Sequence, residues 1–464
     1  MPSYYAIDFG TSNSLLTHVS GGGALTPIPL DPQSGVVLRS LLYTPEQHQW
    51  FFGSEAIAEY VAHDGEGRFF RSIKKFLPEP SYVGTSVHNK SMNISDMVAV
   101  FLKEMKKRAD THTGENVEHL VLGRPALYSL EKENDQLAQD RMQKAALLAG
   151  FKEIVFCPEP IAAGLDYQST VKKEKIVLIT DFGGGTSDFT LMKFHPGKYS
   201  QEDILGLSGV FLAGDALDGM MMRDFISPHF GSQFEYQLPG SNNVLQFPRN
   251  LLKKICSPAH ITHLREKDTW EFLQHIKNFA LSEVEQTRMS NLFTLVESQL
   301  GFPLFHEIEK VKVGLGKAAQ LEFAYSFLDM IVEQEVSALA YQESVTPTVD
   351  EIMESMQDVF RQSGLKAIDV DEVILTGGTS QFPLIRERLR STFGPDKLRE
   401  HNIYQSVVGG LAQYAANLAK ASVTISWARF PHYPSSPHSV TIVKAVLVLW
   451  RCSLFFQHIH ATRS

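Results

Sequence analysis

Cysteine is scarce in this sequence. The 464 residues include three cysteines, Cys157, Cys256 and Cys452, and no two of them form a C-x-x-C pair. Neither a disulfide framework nor a zinc site of the usual spacing is therefore indicated. The N-terminus lacks the basic start and apolar run of a signal peptide. These features favour a protein of the reducing cytoplasm, and we expect a cytoplasmic location.

An excess of positive charge and a long apolar run are also missing. The 43 Lys and Arg residues are outnumbered by 52 Asp and Glu residues, which gives a net charge of −9. Proteins that bind nucleic acid by neutralising phosphates need a basic face, so we expect no nucleic-acid partner. The most apolar stretch, residues 440–456, is interrupted by Lys444 and Arg451. A membrane span needs about 20 apolar residues, and we expect none here.

Two common signatures of phosphate-transferring proteins are not found either. No G-x-x-x-x-G-K-[ST] motif occurs, which excludes a Walker-type nucleotide site. Asp-Phe-Gly occurs twice, but without the Gly-rich loop, the Val-Ala-Ile-Lys strand or the His-Arg-Asp loop of protein kinases. The protein kinase interpretation is therefore rejected.

What the sequence does contain is an internal repeat. Residues 6–16 read AIDFGTSNSLL and residues 179–191 read ITDFGGGTSDFTL. Each predicts an apolar strand, a glycine-assisted turn and a returning strand. Two such hairpins predict two related α/β lobes, which we place at residues 1–175 and 176–420.

Other patterns predict the elements around the hairpins. Strands are expected at 119–122, 154–156 and 373–376, and helices at 135–149, 161–167, 327–341 and 384–393. An enlarged helical subdomain is expected at about 219–325. The composition changes after Lys420, and residues 421–464 form a C-terminal tail to which the sequence assigns no role.

Acidic and glycine residues in the hairpins predict a phosphate site. Asp8 and Asp181 stand at strand ends, and Mg²⁺ keeps several waters while bound through one or two carboxylates. Glycines and hydroxyl residues follow each aspartate and offer unhindered backbone N–H groups for phosphate oxygens. In the first hairpin these residues are Gly10, Thr11, Ser12 and Asn13, and in the second Gly183, Gly184, Gly185 and Thr186. The paired hairpins therefore predict that ATP or ADP binds with Mg²⁺ between the lobes.

Two further segments complete a resemblance to a known family. Residues 159–163 read Glu-Pro-Ile-Ala-Ala, and a Gly-Gly-Thr turn at 377–379 follows the strand predicted at 373–376. With the two hairpins, in this order, they resemble the nucleotide-binding domain of the seventy-kilodalton heat-shock (DnaK-type) chaperones over roughly residues 4–418. The resemblance implies the two-lobed actin-like ATPase fold, a duplicated ribonuclease H-like architecture.

The resemblance also implies roles for individual residues. Asp8 and Asp181 match the magnesium-site aspartates, Lys74 matches the lysine that orients the attacking water, and Lys75 is its neighbouring alternative. The remaining matches are Glu159 near that water, Thr186 beside the γ-phosphate, Asp188 as a further acidic group, and an adenosine-flanking set of Glu309, Lys312, Gly378 and Thr379. Client proteins and co-chaperones are the partners it implies.

The sequence departs from the family pattern at several positions. Gln381 and Val313 stand where the family has two arginines beside the adenosine. The loss of each cationic contact weakens nucleotide binding by roughly 0.5–2 kcal/mol. Arg124 replaces the valine that precedes Pro125. After Lys420 the 44 remaining residues are too few for a peptide-binding domain, so the chain looks like the short bacterial members that lack one, and we expect no action through such a domain.

These observations lead to one expected function and two alternatives. We expect a slow, Mg²⁺-dependent ATPase of the chaperone family. An actin-like filament ATPase shares both hairpins, although Lys74 and the enlarged second lobe favour the chaperone branch. A nucleotide-dependent binding module with little turnover also fits, because the adenosine side is altered.

Overall fold

The computed structural model describes residues 2–21, 23–63, 65–129, 131–168, 171–196, 203–400 and 406–427. Met1–Ala419 form one compact unit. Of the tail predicted at 421–464, residues 428–464 lie outside the described part. Within the described residues, no helix has the length and apolar character needed to cross a membrane.

The first lobe is built from strands β1 to β11 and helices α1 to α4. Its strands are β1 (Tyr4–Phe9), β2 (Asn13–Val19), β3 (Leu25–Pro27), β4 (Leu38–Arg39), β5 (Leu41–Thr44), β6 (Phe51–Phe52), β7 (Arg68–Arg71), β8 (Gly84–Val87), β9 (Lys90–Asn93), β10 (His119–Arg124) and β11 (Glu153–Pro158). Its helices are α1 (Gly53–Ala62), α2 (Ile94–Thr113), α3 (Lys132–Leu148) and α4 (Glu159–Gln168).

The second lobe contains the remaining described elements. Its strands are β12 (Lys175–Phe182), β13 (Ser187–Phe194), β14 (Ile204–Val210), β15 (Glu235–Gln237), β16 (Val244–Gln246), β17 (Gln320–Phe327), β18 (Met330–Ser337), β19 (Glu372–Thr376) and β20 (Leu398–Glu400). Its helices are α5 (Gly214–Met221), α6 (Arg249–Ile255), α7 (Lys267–Lys277), α8 (Glu283–Glu297), α9 (Gly301–Gly314), α10 (Ala338–Ser363), α11 (Pro383–Phe393) and α12 (Ser406–Trp427).

The principal sheets of the two lobes share one topology. In the first, β1 and β2 form an antiparallel hairpin, and β10 and β11 extend the sheet in parallel beside β1. In the second, β12 and β13 form the hairpin, and β19 and β20 extend the sheet in parallel beside β12. The repeat seen in the sequence is thus a repeat of topology. It places Asp8 and Asp181 at equivalent strand ends.

Each principal sheet packs its apolar residues against helices of its own lobe. The first-lobe core joins β1 and β10 with α2 and α3, and the second-lobe core joins β12, β13 and β19 with α5, α9, α10 and α11. A further apolar cluster contains residues of β1, β12, α4 and α12. Residues of both sheets therefore share this cluster.

The helix predicted at 327–341 is wrong. Residues 320–337 form the antiparallel hairpin β17–β18, and α10 starts only at Ala338. Burial alternates along β18, with Met330, Val332 and Val336 buried and Ile331, Glu333 and Glu335 exposed, and this period of two is typical of a strand. The other predicted elements lie within a few residues of those observed, such as α3 and β19.

Candidate functional site

The two hairpins face a shared cavity of about 300 Å³. Its lining includes residues from β1, β12 and the segments after β7, β14 and β19. Apart from Asp188 and the alternative Lys75, the site residues predicted from the sequence all line it: Asp8, Gly10, Thr11, Ser12, Asn13, Lys74, Glu159, Asp181, Gly183, Gly184, Gly185, Thr186, Glu309, Lys312, Gly378 and Thr379. Positions spread over 370 residues of sequence are therefore gathered into one place.

A buried ion pair lies at the first-lobe side of the cavity. Lys74 Nζ lies 2.7 Å from Glu159 Oε1, and each side chain is only 9% exposed. Burial by itself would lower the pKa of Lys74, but the charge of Glu159, with smaller contributions from Tyr128 and Asp8, raises it above its ordinary value. Lys74 is therefore held as a cation beside the cavity.

The neighbouring lysine has a different partner. Lys75 Nζ lies 2.7 Å from Asp215 Oδ2, on helix α5 of the second lobe, and Lys75 does not line the cavity. Of the two lysines that the sequence left as alternatives, Lys74 is the one that faces the cavity.

Carboxylates accumulate around the ends of β1 and β12. Burial, reinforced by the charge of Glu159, raises the pKa of Asp8 well above its ordinary value and that of Asp181 to about 6. Burial, Glu159 and Asp181 together raise the pKa of Asp188 to about 8. Asp188 does not line the cavity; its Oδ1 accepts a hydrogen bond from the backbone N–H of Ala126 at 3.3 Å. The cluster holds more buried negative charge than its lysine offsets, which fits a site for a cation.

Glycines allow the two hairpin loops to approach each other. A Cβ on Gly184 would collide with Ser12 Oγ, and one on Gly185 would lie 2.7 Å from Thr11 Oγ1. Real Cβ atoms do not come this close to other heavy atoms, so a larger residue at either position would displace the Ser12 or Thr11 side chain. The loops therefore present bare backbone to the cavity from both lobes, as a phosphate cradle requires.

The loop after β19 is tied to the second hairpin. Thr379 Oγ1 donates a hydrogen bond to the Gly183 carbonyl at 2.7 Å. Gly377 has φ 76, and a Cβ there would collide with the Phe182 carbonyl. Gly378 and Thr379 are thus fixed next to the phosphate loop, although they follow it by almost 200 residues.

The sequence analysis missed three charged residues of the site: Arg71, Asp215 and Asp218. Lys312 Nζ lies 2.7 Å from Asp218 Oδ1, and Arg71 Nη2 lies 3.6 Å from Asp215 and 3.9 Å from Asp218. Burial acts to raise the pKa of Asp215, but Lys75 and Arg71 outweigh it and hold that pKa below its ordinary value. The sequence did contain a signal for the two aspartates. Asp215 follows Gly214 directly, and Asp218, three residues later, lies on the same face at the start of helix α5.

The two adenosine-side departures also line the cavity. The Gln381 side chain is anchored, because its Oε1 accepts a hydrogen bond from Arg386 Nη2 at 2.8 Å. Val313, on α9, is 63% exposed and supplies apolar surface at the mouth. This end of the cavity has Phe382 and Pro383 as further apolar walls.

Two lobes of equivalent topology with a polar cavity between their hairpins define the two-lobed actin-like ATPase fold, as predicted. Comparison with known proteins gives the family. The family model described as "Hsp70 protein" matches residues 62–256 and 270–424, most of the chain. The chain therefore belongs to the Hsp70 family.

Curated relatives agree with this assignment at low identity. The chain is 23% identical over 421 residues to the chaperone protein DnaK of Thermosipho africanus, with 89% of this chain and 58% of that protein covered. It is 24% identical over 414 residues to the chaperone protein DnaK of Thermotoga neapolitana, with 89% and 59% covered. The chain thus spans just under three fifths of the length of these relatives.

Proposed function

We propose that this protein binds Mg·ATP between its two lobes and hydrolyses it slowly to ADP and phosphate. The observation that carries the proposal is the pairing of two glycine cradles, one from each lobe, with a buried Lys74–Glu159 ion pair and the carboxylates Asp8 and Asp181. Membership of the Hsp70 family supports it.

Each group has a task in this proposal. The loops at 10–13 and 184–186 bind phosphate oxygens through backbone N–H groups. Lys74 and Glu159 hold the attacking water, and Thr186 donates its hydroxyl to the γ-phosphate. Because catalysis of phosphoryl transfer depends on positioning and charge stabilisation, a single positioned water without a fast product-release step gives slow turnover.

The acidic cluster fits Mg²⁺. Burial, followed by repulsion from Glu159, raises the pKa values of Asp8 and Asp181, and a bound cation would favour their charged forms. These two side chains would hold the ion through its water ligands, and the ion would offset the charge of the phosphates. Across the described residues, no group of three or more His, Cys, Asp or Glu side chains is placed to ligate a metal directly.

We extend the proposal to a role in the chaperone family. The relatives are named chaperone proteins, and nucleotide-dependent lobe closure offers a means of changing affinity for a client protein or a co-chaperone. Such proteins are the partners that we propose for this chain.

Release of phosphate from γ-labelled ATP tests the proposal, with Thr186→Ala as the site variant. We expect Mg²⁺-dependent release by the wild type, well below the median enzyme turnover of about 10 per second. The variant should retain ATP binding and release phosphate roughly tenfold or more slowly, because it loses one hydrogen bond to the γ-phosphate. Thr190→Ala is the matched control, since Thr190 lies on β13, the strand that begins directly after Thr186, but not at the cavity.

The same measurements distinguish the alternatives. ATP binding without phosphate release would indicate a nucleotide-dependent binding module. Sedimentation of the protein when ATP is added would indicate an actin-like filament ATPase. Failure to bind ATP at millimolar concentration would overturn the proposed function altogether.

A further inference from the structure

A second chamber adjoins the nucleotide cavity and has no task in the proposed function. Its volume is also about 300 Å³. Five residues line both spaces: Thr11, Ser12, Asn13, Arg71 and Glu309. The lining of the second chamber is completed by Ser34, Val37, Arg39, Leu41 and Phe302. The phosphate loop of the first hairpin and two charged side chains therefore form a common boundary between the two spaces.

The shared residues locate this boundary along a bound nucleotide. Residues proposed to act at the γ-phosphate, such as Lys74 and Thr186, line the first cavity and not the second chamber. The same holds for Phe382 and Pro383, at the apolar end of the first cavity. A nucleotide that extends from the phosphate loops to that end has its ribose in the middle. The second chamber therefore opens beside the ribose, next to Glu309 of the adenosine-flanking set.

Arg39 is fixed beside the phosphate loop by backbone contacts. Strand β4 places Arg39 directly opposite Asn13 of β2. The next residue, Ser40, donates its backbone N–H to the Ser12 carbonyl at 2.8 Å and its hydroxyl to the Gly10 carbonyl at 2.7 Å. The Arg39 guanidinium lines the second chamber and has no ion-pair partner among the described residues. It is therefore available to an anionic ligand.

Arg71 brings a second guanidinium to the same chamber. It lies on β7 opposite Leu41 of β5, and Leu41 follows Arg39 by two positions. The ion-pair contacts of Arg71 with the second lobe are longer than hydrogen bonds, 3.6 Å at the shortest. The lining contains one carboxylate, Glu309, which also lies 3.9 Å from His306. Two guanidiniums against one carboxylate give the lining an excess of positive charge.

We propose that the second chamber binds a phosphate group carried on the ribose, so that adenosine nucleotides phosphorylated at the 2′ or 3′ hydroxyl are ligands of this protein. The inference rests on the proposed nucleotide site. Guanidiniums suit this group because their parallel N–H donors bind two phosphate oxygens at once. A phosphate on the ribose would reach Arg39 and Arg71 while the 5′-phosphates stay in the glycine loops. Glu309 is left to accept a hydrogen bond from the remaining ribose hydroxyl.

Calorimetric titration of the full chain with adenosine 5′-monophosphate and with adenosine 2′,5′- and 3′,5′-bisphosphate tests the inference. We expect one bisphosphate to bind at least roughly tenfold more tightly than the monophosphate, because it adds charge-assisted hydrogen bonds. Arg39→Gln should reduce this ratio of affinities to about threefold or less, because the charge is lost. Arg249→Gln is the matched control and should keep the wild-type ratio, since Arg249 is an exposed arginine at the start of α6 that lines neither space.

Four other outcomes would overturn the inference. Equal affinities of the wild type for the monophosphate and both bisphosphates would show that the chamber takes no ribose phosphate. A preference that survives in Arg39→Gln would place the added phosphate elsewhere. An equal gain from the monophosphate with equimolar inorganic phosphate would show a site for the free anion, with no link to the ribose. ADP is titrated in parallel, and absence of ADP binding would overturn the proposed nucleotide site itself.

Discussion

Lys74 and Lys75 are neighbours in sequence and have different partners in the fold. Lys74 pairs with Glu159 within the first lobe, at the cavity, whereas Lys75 pairs with Asp215 across to the second lobe. The first position suits stabilisation of the reacting water and phosphate. The second position suits closure of the lobes.

Substituting each lysine by alanine should therefore have a different effect. Lys74→Ala should lower the single-turnover rate of phosphate release on the order of 10²-fold, because a charge that stabilises the transition state is lost. Lys75→Ala should leave that rate within a few-fold of wild type and weaken ATP affinity. Both are measured by rapid mixing with labelled ATP and by a melting curve for folding. An unchanged rate in Lys74→Ala would remove its catalytic role.

Asp188 predicts a pH dependence of stability. Its pKa is about 8 in the folded protein, above the ordinary value of 3.8. A carboxyl with a raised folded pKa favours the folded state fully below about pH 4, and that contribution is lost as the pH rises towards 8. The nucleotide-free protein should therefore lose stability from this group between pH 6 and pH 8, on the order of 1 kcal/mol per pH unit.

Urea unfolding at pH 6 and at pH 8 measures this change, with Asp188→Asn as the comparison. Asparagine has nearly the same shape and cannot ionise, so the variant should show a smaller decrease between the two pH values. An equal decrease in both proteins would show that other groups cause the pH dependence.

At the scale of elements, two aromatic contacts join helices of the second lobe to the first. Phe302 on α9 stacks on Phe69 of β7 with ring centroids 4.2 Å apart. Nearby, Tyr60 donates its hydroxyl to the Gln299 carbonyl at 2.6 Å. In the second aromatic contact, the His263 ring lies parallel to the Tyr82 ring, with the ring centroids 6.1 Å apart. These contacts link the two lobes, and Phe302 also lines the second chamber beside the loop at 10–13.

Phe302→Ala should speed the release of bound nucleotide. Aromatic pairs contribute about 0.5–1.5 kcal/mol beyond buried area, so the dissociation rate of ADP should increase roughly two- to tenfold. Stopped-flow displacement of a fluorescent ADP measures it. Phe272→Ala serves as the control, because Phe272 is a partly exposed phenylalanine on α7, outside both cavities. Equal release rates in the two variants would argue against a clamp at Phe302.

At the scale of the whole molecule, the cavity takes residues from both lobes, so Mg·ATP should favour their closed arrangement. A ligand that binds only this folded form adds about 2.7 kcal/mol of stability at a hundredfold excess over its dissociation constant. We expect the melting temperature of the wild type to rise with Mg·ATP, and to rise less with ADP, which lacks the γ-phosphate that Thr186 would reach.

Asp181→Asn should show a much smaller shift with Mg·ATP, because the ion loses one of its two anchoring carboxylates. Each protein is compared with its own nucleotide-free melt, since removing a crowded charge also changes the starting stability. A shift as large as that of the wild type would remove Asp181 from the metal site.

Local features of the sequence were sufficient to predict the two hairpins, and the family resemblance added the fold class and most of the charged residues that line the cavity. An aspartate at a strand end and glycines in the following turn depend on neighbours within a few positions, so this pattern can be found from the sequence alone. The choice of Lys74 over Lys75, the roles of Arg71, Asp215 and Asp218, and the β17–β18 hairpin required the tertiary structure. Ion-pair partners are set by contacts across 85 or more residues. A short run of apolar residues is compatible with a helix or with a strand, and tertiary packing determines which residues are buried. In β18 it buries Met330 and Val332, two positions apart, as in a strand.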